Sequence, residues 1–528
     1  MKVEPFDRSA CDGATLYEAG ASRRSSSIEP ARTTATRRLD NVRLLQMGTL
    51  VFLLPNAILA WGFGISAAGA VWSGCMVAAV LLCRFEPKRQ GLLAAPVDMA
   101  ALAGCMLLAF FLFILAGETH LFFANSDWLI RDAVLSDLAR QGFPLFYRYE
   151  AQDYLLRAPL GMYLLPATVG HFAGSKAAHV VLLAQNAGLL ALCLYFVAQL
   201  SNTRNRIAFL SVFVLFSGLD VAPQFFLHGF DMPDHLEWWS VLFQYSSHVT
   251  QLFWVPNHAL PGWWFAVLLL LFMRGEADFA FLLAAFAATP LWSPLAAIGA
   301  APFLAIFGLR LGGGLFAPRI LAAGLAGLCF APVAIYLTAD AGAVRHYWLI
   351  FVDGFALIYP LFIAVEIPHA AVVFAAWSKI EESDRALVAT AVAVLLVIPF
   401  YLFGATNDLA MRASIIPLFL LAFAFAKIAV STRRDGAPLA SVISAIVILS
   451  AATPLLEVKR AFVEPAFAIS DCNFLTSWKK ADPTIWPSNY LARIAAAPAW
   501  LVRAKDARIT IEDRKCWPDH PRLSDSEK

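Results

Sequence analysis

The chain is 528 residues long, 60% hydrophobic and only 15% charged, with a mean hydropathy of +0.66. Soluble domains carry roughly a quarter charged residues, so this composition excludes an ordinary soluble globular protein and indicates a polytopic membrane protein. A formal net charge of +2 supplies no bulk attraction to nucleic acid, and none is expected as a partner.

Residues 1–42 are polar, with Ser25-Ser26-Ser27 and scattered arginines. They lack the apolar stretch and cleavage site of a signal peptide and read as a disordered cytoplasmic tail. A helix needs about 20 apolar residues to cross a bilayer. The first such stretches lie near 44–63, 66–83 and 93–116. Arg23, Arg24, Arg32, Arg37, Arg38 and Arg43 precede the first, and Arg84, Lys88 and Arg89 follow the second. The positive-inside rule puts both clusters in the cytoplasm. The segment 118–157 then falls outside, and its length and aromatic content argue for function over disorder.

Apolar segments follow at 158–174, 177–199 and 207–222, then a second polar, aromatic loop at 223–258. If all three crossed, Arg204 and Arg206 would be external, against the same rule. Segment 158–174 is short and broken by Pro159, Gly161, Pro166 and Gly170, so it reads as re-entrant or interfacial. Both polar loops then share the external face. Spans are expected next at 259–273, 279–309 (one kinked helix or a hairpin, from Pro290 and Pro294), 320–338, 359–378, 386–403, 413–430 and 438–456. The expected architecture is all-α and polytopic, with about 13 spans. It comprises a membrane domain at 43–456, a cytoplasmic N-terminus and a small extracytoplasmic tail at 457–528.

Cys75, Cys83, Cys105, Cys193 and Cys329 sit in apolar runs and read as small packed hydrophobes. Cys472 and Cys516 lie in the external tail, where an oxidising compartment favours a disulfide between them. The sequence has no CxxC, zinc-spaced Cys/His set, HExxH, GxGxxG or GxxxxGK[ST], and no heptad run. No cofactor is therefore expected.

Polar clusters collect at external ends of the segments. The first is Asp127, Arg131, Asp132 and Asp137. Asp127 and Arg131 are four apart on a short helix, so they either pair or leave Asp127 or Asp132 as a general base toward a hydroxyl. The second is His228, Asp231, Asp234, His235, Glu237, Trp238 and Trp239, continued by Gln244, Tyr245, His248, Asn257 and His258. Aromatics interleaved with hydrogen-bonding groups suit a sugar. The spacing fits no specific metal site, a divalent ion being the lesser reading, and interfacial anchoring explains the tryptophans alone. The third is Asn407, Asp408 and Arg412, where a costly Arg at a span end suits a lipid phosphate or an ion pair with Asp408. The fourth, Asp340, Arg345 and His346, could supply another cation, with ordinary loop charge the leading reading.

An acidic motif in the first large external loop, many spans and an external C-terminal tail resemble the GT-C glycosyltransferases. Arg157 through Tyr163 resembles the proline-and-aromatic segment after that loop in the aminoarabinose and protein-mannosyl transferase branches. The stretches Asp127-Trp128 to Asp137-Leu138, His235 to Trp239, Gln244 to Ser247, Phe253 to His258 and Asn407 to Ser414 also resemble a group of bacterial polytopic membrane proteins. The resemblance implies an inverting transferase that uses a polyprenyl-phosphate sugar, with Asp127 as base and Arg412 and Arg157 on the carrier phosphate. Loop 223–258 would hold sugar or acceptor. Lipid-linked donor and membrane lipids are the implied partners, and a bacterial inner membrane the implied location. A polysaccharide polymerase or ligase shares this chemistry. A transporter or flippase is the rival of another class, and polar clusters at span ends on one face favour the enzyme.

Overall fold

The computed structural model describes residues 39–432, 438–520 and Leu523; residues 1–38 of the tail expected at 1–42 lie outside the described residues, and helix Asn41–Ala60 takes in its last two. Among them, nine helices are long and apolar enough to cross a membrane: Asn41–Ala60, Ile65–Cys83, Ser175–Leu200, Pro256–Met273, Pro294–Phe316, Pro318–Ala343, Glu382–Phe400, Ile415–Thr432 and Pro438–Val463. A bent pair, Phe355–Glu366 and Pro368–Ala375, meets at 59° and makes a tenth if it crosses as one. The protein is a helical, polytopic membrane protein.

The differences from about 13 spans have local causes. The stretch expected at 93–116 yields the shorter helix Met99–Leu115, and 279–309 divides into Phe279–Ala288 and Pro294–Leu311. The stretch at 207–222 breaks into Arg206–Val214 and Val221–His228. Between them, Leu219 N–H donates to the Val365 carbonyl (2.8 Å), so the backbone leaves its helix to bond the end of Phe355–Glu366. Gly218 permits the approach: a Cβ there would stand 2.4 Å from Glu366 Oε2. Segment 158–174 becomes the 13-residue helix Gly161–Ala173, which carries Pro166 and packs against Ser126–Gln141 and Ser175–Leu200.

The two ends of the bundle differ in chemistry. At one end Arg274 meets the Leu200 carbonyl and Asp384, Lys427 meets Glu381, and Glu276 accepts from Leu92 and Leu93 N–H. The opposite end gathers both polar loops and the C-terminal segment. Segment 118–157 is not irregular. It holds the helix Ser126–Gln141 and an antiparallel hairpin, Phe146–Tyr149 with Gln152–Leu156, which Leu491–Arg493 extends to three strands. A second small sheet pairs His346–Trp348 with Tyr401–Phe403; both sheets are minor elements in a fold that is otherwise helical, as expected.

The helix Ala452–Val463 carries the chain past residue 457, so the tail starts later than expected. Beyond it, the tail is sewn onto segment 118–157. Asp137 Oδ2 accepts from Phe474 N–H (2.9 Å) and the Tyr147 hydroxyl (2.8 Å), and His120 Nδ1 meets the Phe467 carbonyl at 2.9 Å. The Cys472–Cys516 disulfide is formed and closes this segment on itself.

Candidate functional site

Helix Ser126–Gln141 begins at Asn125, whose side-chain oxygen accepts from Asp127 N–H. This cap places Asp127 in the first turn, where the helix dipole favours a carboxylate. Asn125 Nδ2 and Trp128 Nε1 both donate to the Phe253 carbonyl (2.9 and 3.2 Å), which draws the second polar loop against this turn. Arg131 Nη2 donates to Asp127 Oδ2 at 2.9 Å, so the expected ion pair forms. The pair is lopsided: Arg131 is 4% exposed, while the Asp127 side chain is 38% exposed. Arg131 lies over the Trp128 ring, and its Nε and Nη1 are buried without an acceptor among the described residues.

Asp132 points elsewhere. It is buried and accepts from His120 Nε2 at 2.7 Å. Burial works to lower His120, yet the Asp132 charge and hydrogen bond hold it above its ordinary value. Glu118 lies next to this pair, takes both bonds from Asn186 Nδ2, and is pushed up to about 8 by burial.

The corner at Asn407–Arg412 is built on backbone turns. Gly404 (φ +98°) has no room for a side chain, because a Cβ would stand 2.0 Å from Asp408 Oδ2. Asn407 is left-handed (φ +61°), caps helix Asp408–Ala413, and donates through Nδ2 to the Leu242 carbonyl of the second loop (2.9 Å). Asp408 and Arg412 pair at 2.8 Å. Asn257 and His258 open helix Pro256–Met273; His258 Nδ1 meets Ser293 Oγ at 2.7 Å, and Asn257 Oδ1 is buried without a partner among the described residues. His258 lies in the field of both Arg131 and Arg412. Tyr490, from the tail, is held above its ordinary range, to about 12, by burial, and interacts with Arg131, Asp127, Arg412 and Asp408. The first and third clusters thus converge, with Asn257, His258 and Tyr490 around them.

Other candidates lie apart from that corner. Arg157 donates Nη2 to the Ser488 carbonyl (2.6 Å) and Nη1 to that of Asn489 (3.5 Å), so the tail occupies its guanidinium. Its Nε is buried with no acceptor among the described residues. His248 is fully enclosed, its Nδ1 on the Phe213 carbonyl and its ring against Trp263. It is a packed core residue and is not brought to the corner. Asp231 is exposed.

His235 and Glu237 belong to a separate buried network. His235 Nδ1 lies 2.6 Å from Glu457 Oε1, Trp254 Nε1 donates to Glu457 Oε2, and Arg460 joins at 3.1 Å. Glu237 accepts from Gln244 Nε2 and Ser247 N–H, and burial raises it while His235 opposes. Trp238 stands exposed beside His235. Beneath this network, Trp239 Nε1 donates to Glu366, while Ser217 and Thr453 hydroxyls donate to Asp220.

No group of three or more His, Cys, Asp or Glu side chains is arranged to hold a metal ion among the described residues. Sequence reasoning passed over His120, Tyr490 and Glu457. Glu457 alone carried a signal, a carboxylate within an apolar run. An open groove of about 580 Å3, lined by His346, Tyr347, Trp348, Phe351, Val352 and Tyr401, sits on the small sheet that leads into the Asn407 corner. Comparison with family models, with curated proteins and with solved structures returns no match for this chain.

Proposed function

We propose that this protein is an integral membrane glycosyltransferase that moves a sugar from a polyprenyl-phosphate carrier to an extracytoplasmic acceptor, at the inner membrane of a bacterial cell. The observation that carries the reading is the corner where a partly open carboxylate, Asp127, pairs with a buried guanidinium whose other nitrogens are unengaged, beside Arg412. A glycosyl transfer needs both halves. A base must take the acceptor proton, and cations must meet charge growing on the departing phosphate.

In this reading the acceptor oxygen bonds to the anomeric carbon from the face opposite the carrier, with inversion. Its proton passes to Asp127. The bond between the anomeric carbon and the phosphate oxygen breaks, and its electron pair leaves with the carrier phosphate. Arg131 and Arg412 receive that charge. Arg131 joins Arg412 in the role that resemblance gave to Arg412 and Arg157, because it has two unengaged nitrogens beside Asp127, while Arg157 gives both Nη groups to tail carbonyls and keeps only Nε. Asp132 is the lesser base, since it is enclosed and bound to His120. The aromatic groove beside Trp348 and Tyr401 offers faces on which an acceptor sugar can stack.

The test is mass spectrometry of envelope glycans and lipid-linked sugars in cells with and without the protein. Loss of a single-sugar decoration, with its lipid-linked donor accumulating, supports the transferase. Shortened glycan chains indicate a polymerase, and unchanged glycans contradict both.

A further inference from the structure

The end of the bundle opposite the Asp127 corner carries its own cavity, of about 670 Å3. It is lined by the end of helix Ser175–Leu200 (Gln199, Leu200), the link Asn202–Arg204, Arg206, the Arg274–Glu276 turn and Leu92. That volume lies within the range of about 300–1,000 Å3 common for ligand sites.

Charge in the lining is unbalanced toward cations. Glu276 is spent on its own scaffold, accepting from Leu92 and Leu93 N–H at 2.9 and 3.2 Å. Arg206 reaches out to Asp98 in a solvent-exposed pair, which constrains it weakly. Arg274 caps the Leu200 carbonyl and pairs with Asp384, yet its Nε is buried with no acceptor among the described residues. Arg204 is exposed and has no ion pair or hydrogen bond there. Capping of helix ends accounts for Arg274 alone. Arg206 has Asp98 as its partner, and Arg204 has none among the described residues.

We propose that this cavity is a phosphate-binding site that seats the headgroup of an anionic phospholipid. Arg204 and Arg206 supply the fork that planar guanidiniums offer to phosphate oxygens. Arg274 lines the same cavity and adds its charge to it. Ile207, 80% exposed next to Arg206, marks where acyl chains would run down the flank of helix Arg206–Val214. The site is independent of the transferase reading, since none of its residues belongs to the Asp127 corner.

The experiment uses the full-length protein in nanodiscs of zwitterionic lipid doped with phosphatidylglycerol or cardiolipin, followed by native mass spectrometry of retained lipid. The wild type should retain anionic over zwitterionic lipid, and Arg204→Ala with Arg206→Ala should reduce that preference by about tenfold or more. Arg204→Ala alone, at a position with no partner among the described residues, should reduce it partway without lowering the melting temperature. Competition by inorganic phosphate or pyrophosphate without any lipid preference would assign the site to a soluble phosphate instead of a headgroup. Equal retention of all lipids with no effect of either phosphate overturns the proposal.

Discussion

Two polar regions at the same end of this molecule use the same residue types to opposite ends. In the network of His235, Glu237 and Glu457, donors and acceptors match: Glu457 alone receives from His235, Trp254 and Arg460. At the Asp127 corner the matching stops halfway. Asp127 keeps surface, and Arg131 keeps two buried nitrogens without acceptors among the described residues. An unmatched buried donor costs about 1–3 kcal/mol, more for a charged group. The open Asp127 carboxylate beside the incompletely matched Arg131 sets this corner apart from the network, and it is the combination on which the proposed function rests.

Several substitutions break or sharpen that contrast. Glu457→Ala should have the largest effect on stability. It strands His235 and Arg460, and removing one partner of a buried pair costs about 3–5 kcal/mol. Thermal melting in detergent should show a large fall. Cys472→Ser with Cys516→Ser opens a loop with a sequence separation of 44, worth about 4 kcal/mol by chain entropy at most. It should lower the melting temperature and reduce activity too, because the tail carries Tyr490.

Glu118 tests burial by pH. Its folded value is raised to about 8 from an ordinary value near 4.3. A raised carboxyl contributes stability that is complete below about pH 4.3 and is lost as pH climbs through about 8. Glu118→Gln has no such loss. The variant should gain on the wild type across this window, by a few kcal/mol at its top. Parallel melting curves against pH would refute the account of Glu118. Tyr490→Phe should have the smallest effect. It removes one hydroxyl from the corner, so transfer should fall about threefold to tenfold with melting unchanged. A lowered melting temperature with normal transfer would make Tyr490 structural only.

Much of the membrane pattern was legible in the chain, because long apolar runs report their own burial. Asn41–Ala60, Ile65–Cys83, Ser175–Leu200 and Ile415–Thr432 fall within a few residues of their expected places. The break after Val214 was not legible. It depends on Gly218 meeting Glu366, a contact between residues far apart in sequence. The same limit governs the corner. Spacing placed Asp127 with Arg131, and Asp408 with Arg412, since each pair is four apart on a helix. Nothing local announced that Asn125 and Asn407 tie both pairs to the second loop, or that His248 turns into the core. The disulfide was legible because compartment chemistry left Cys472 and Cys516 to each other.

The central claim is that Asp127 is the base of a sugar transfer. Its most direct test is the level of decorated acceptor, by glycan mass spectrometry, in cells making Asp127→Asn at wild-type protein level. The amide keeps the shape of the corner and removes the base, so decoration should fall by at least about a hundredfold, with the lipid-linked donor accumulating. Wild-type decoration by Asp127→Asn would contradict the claim.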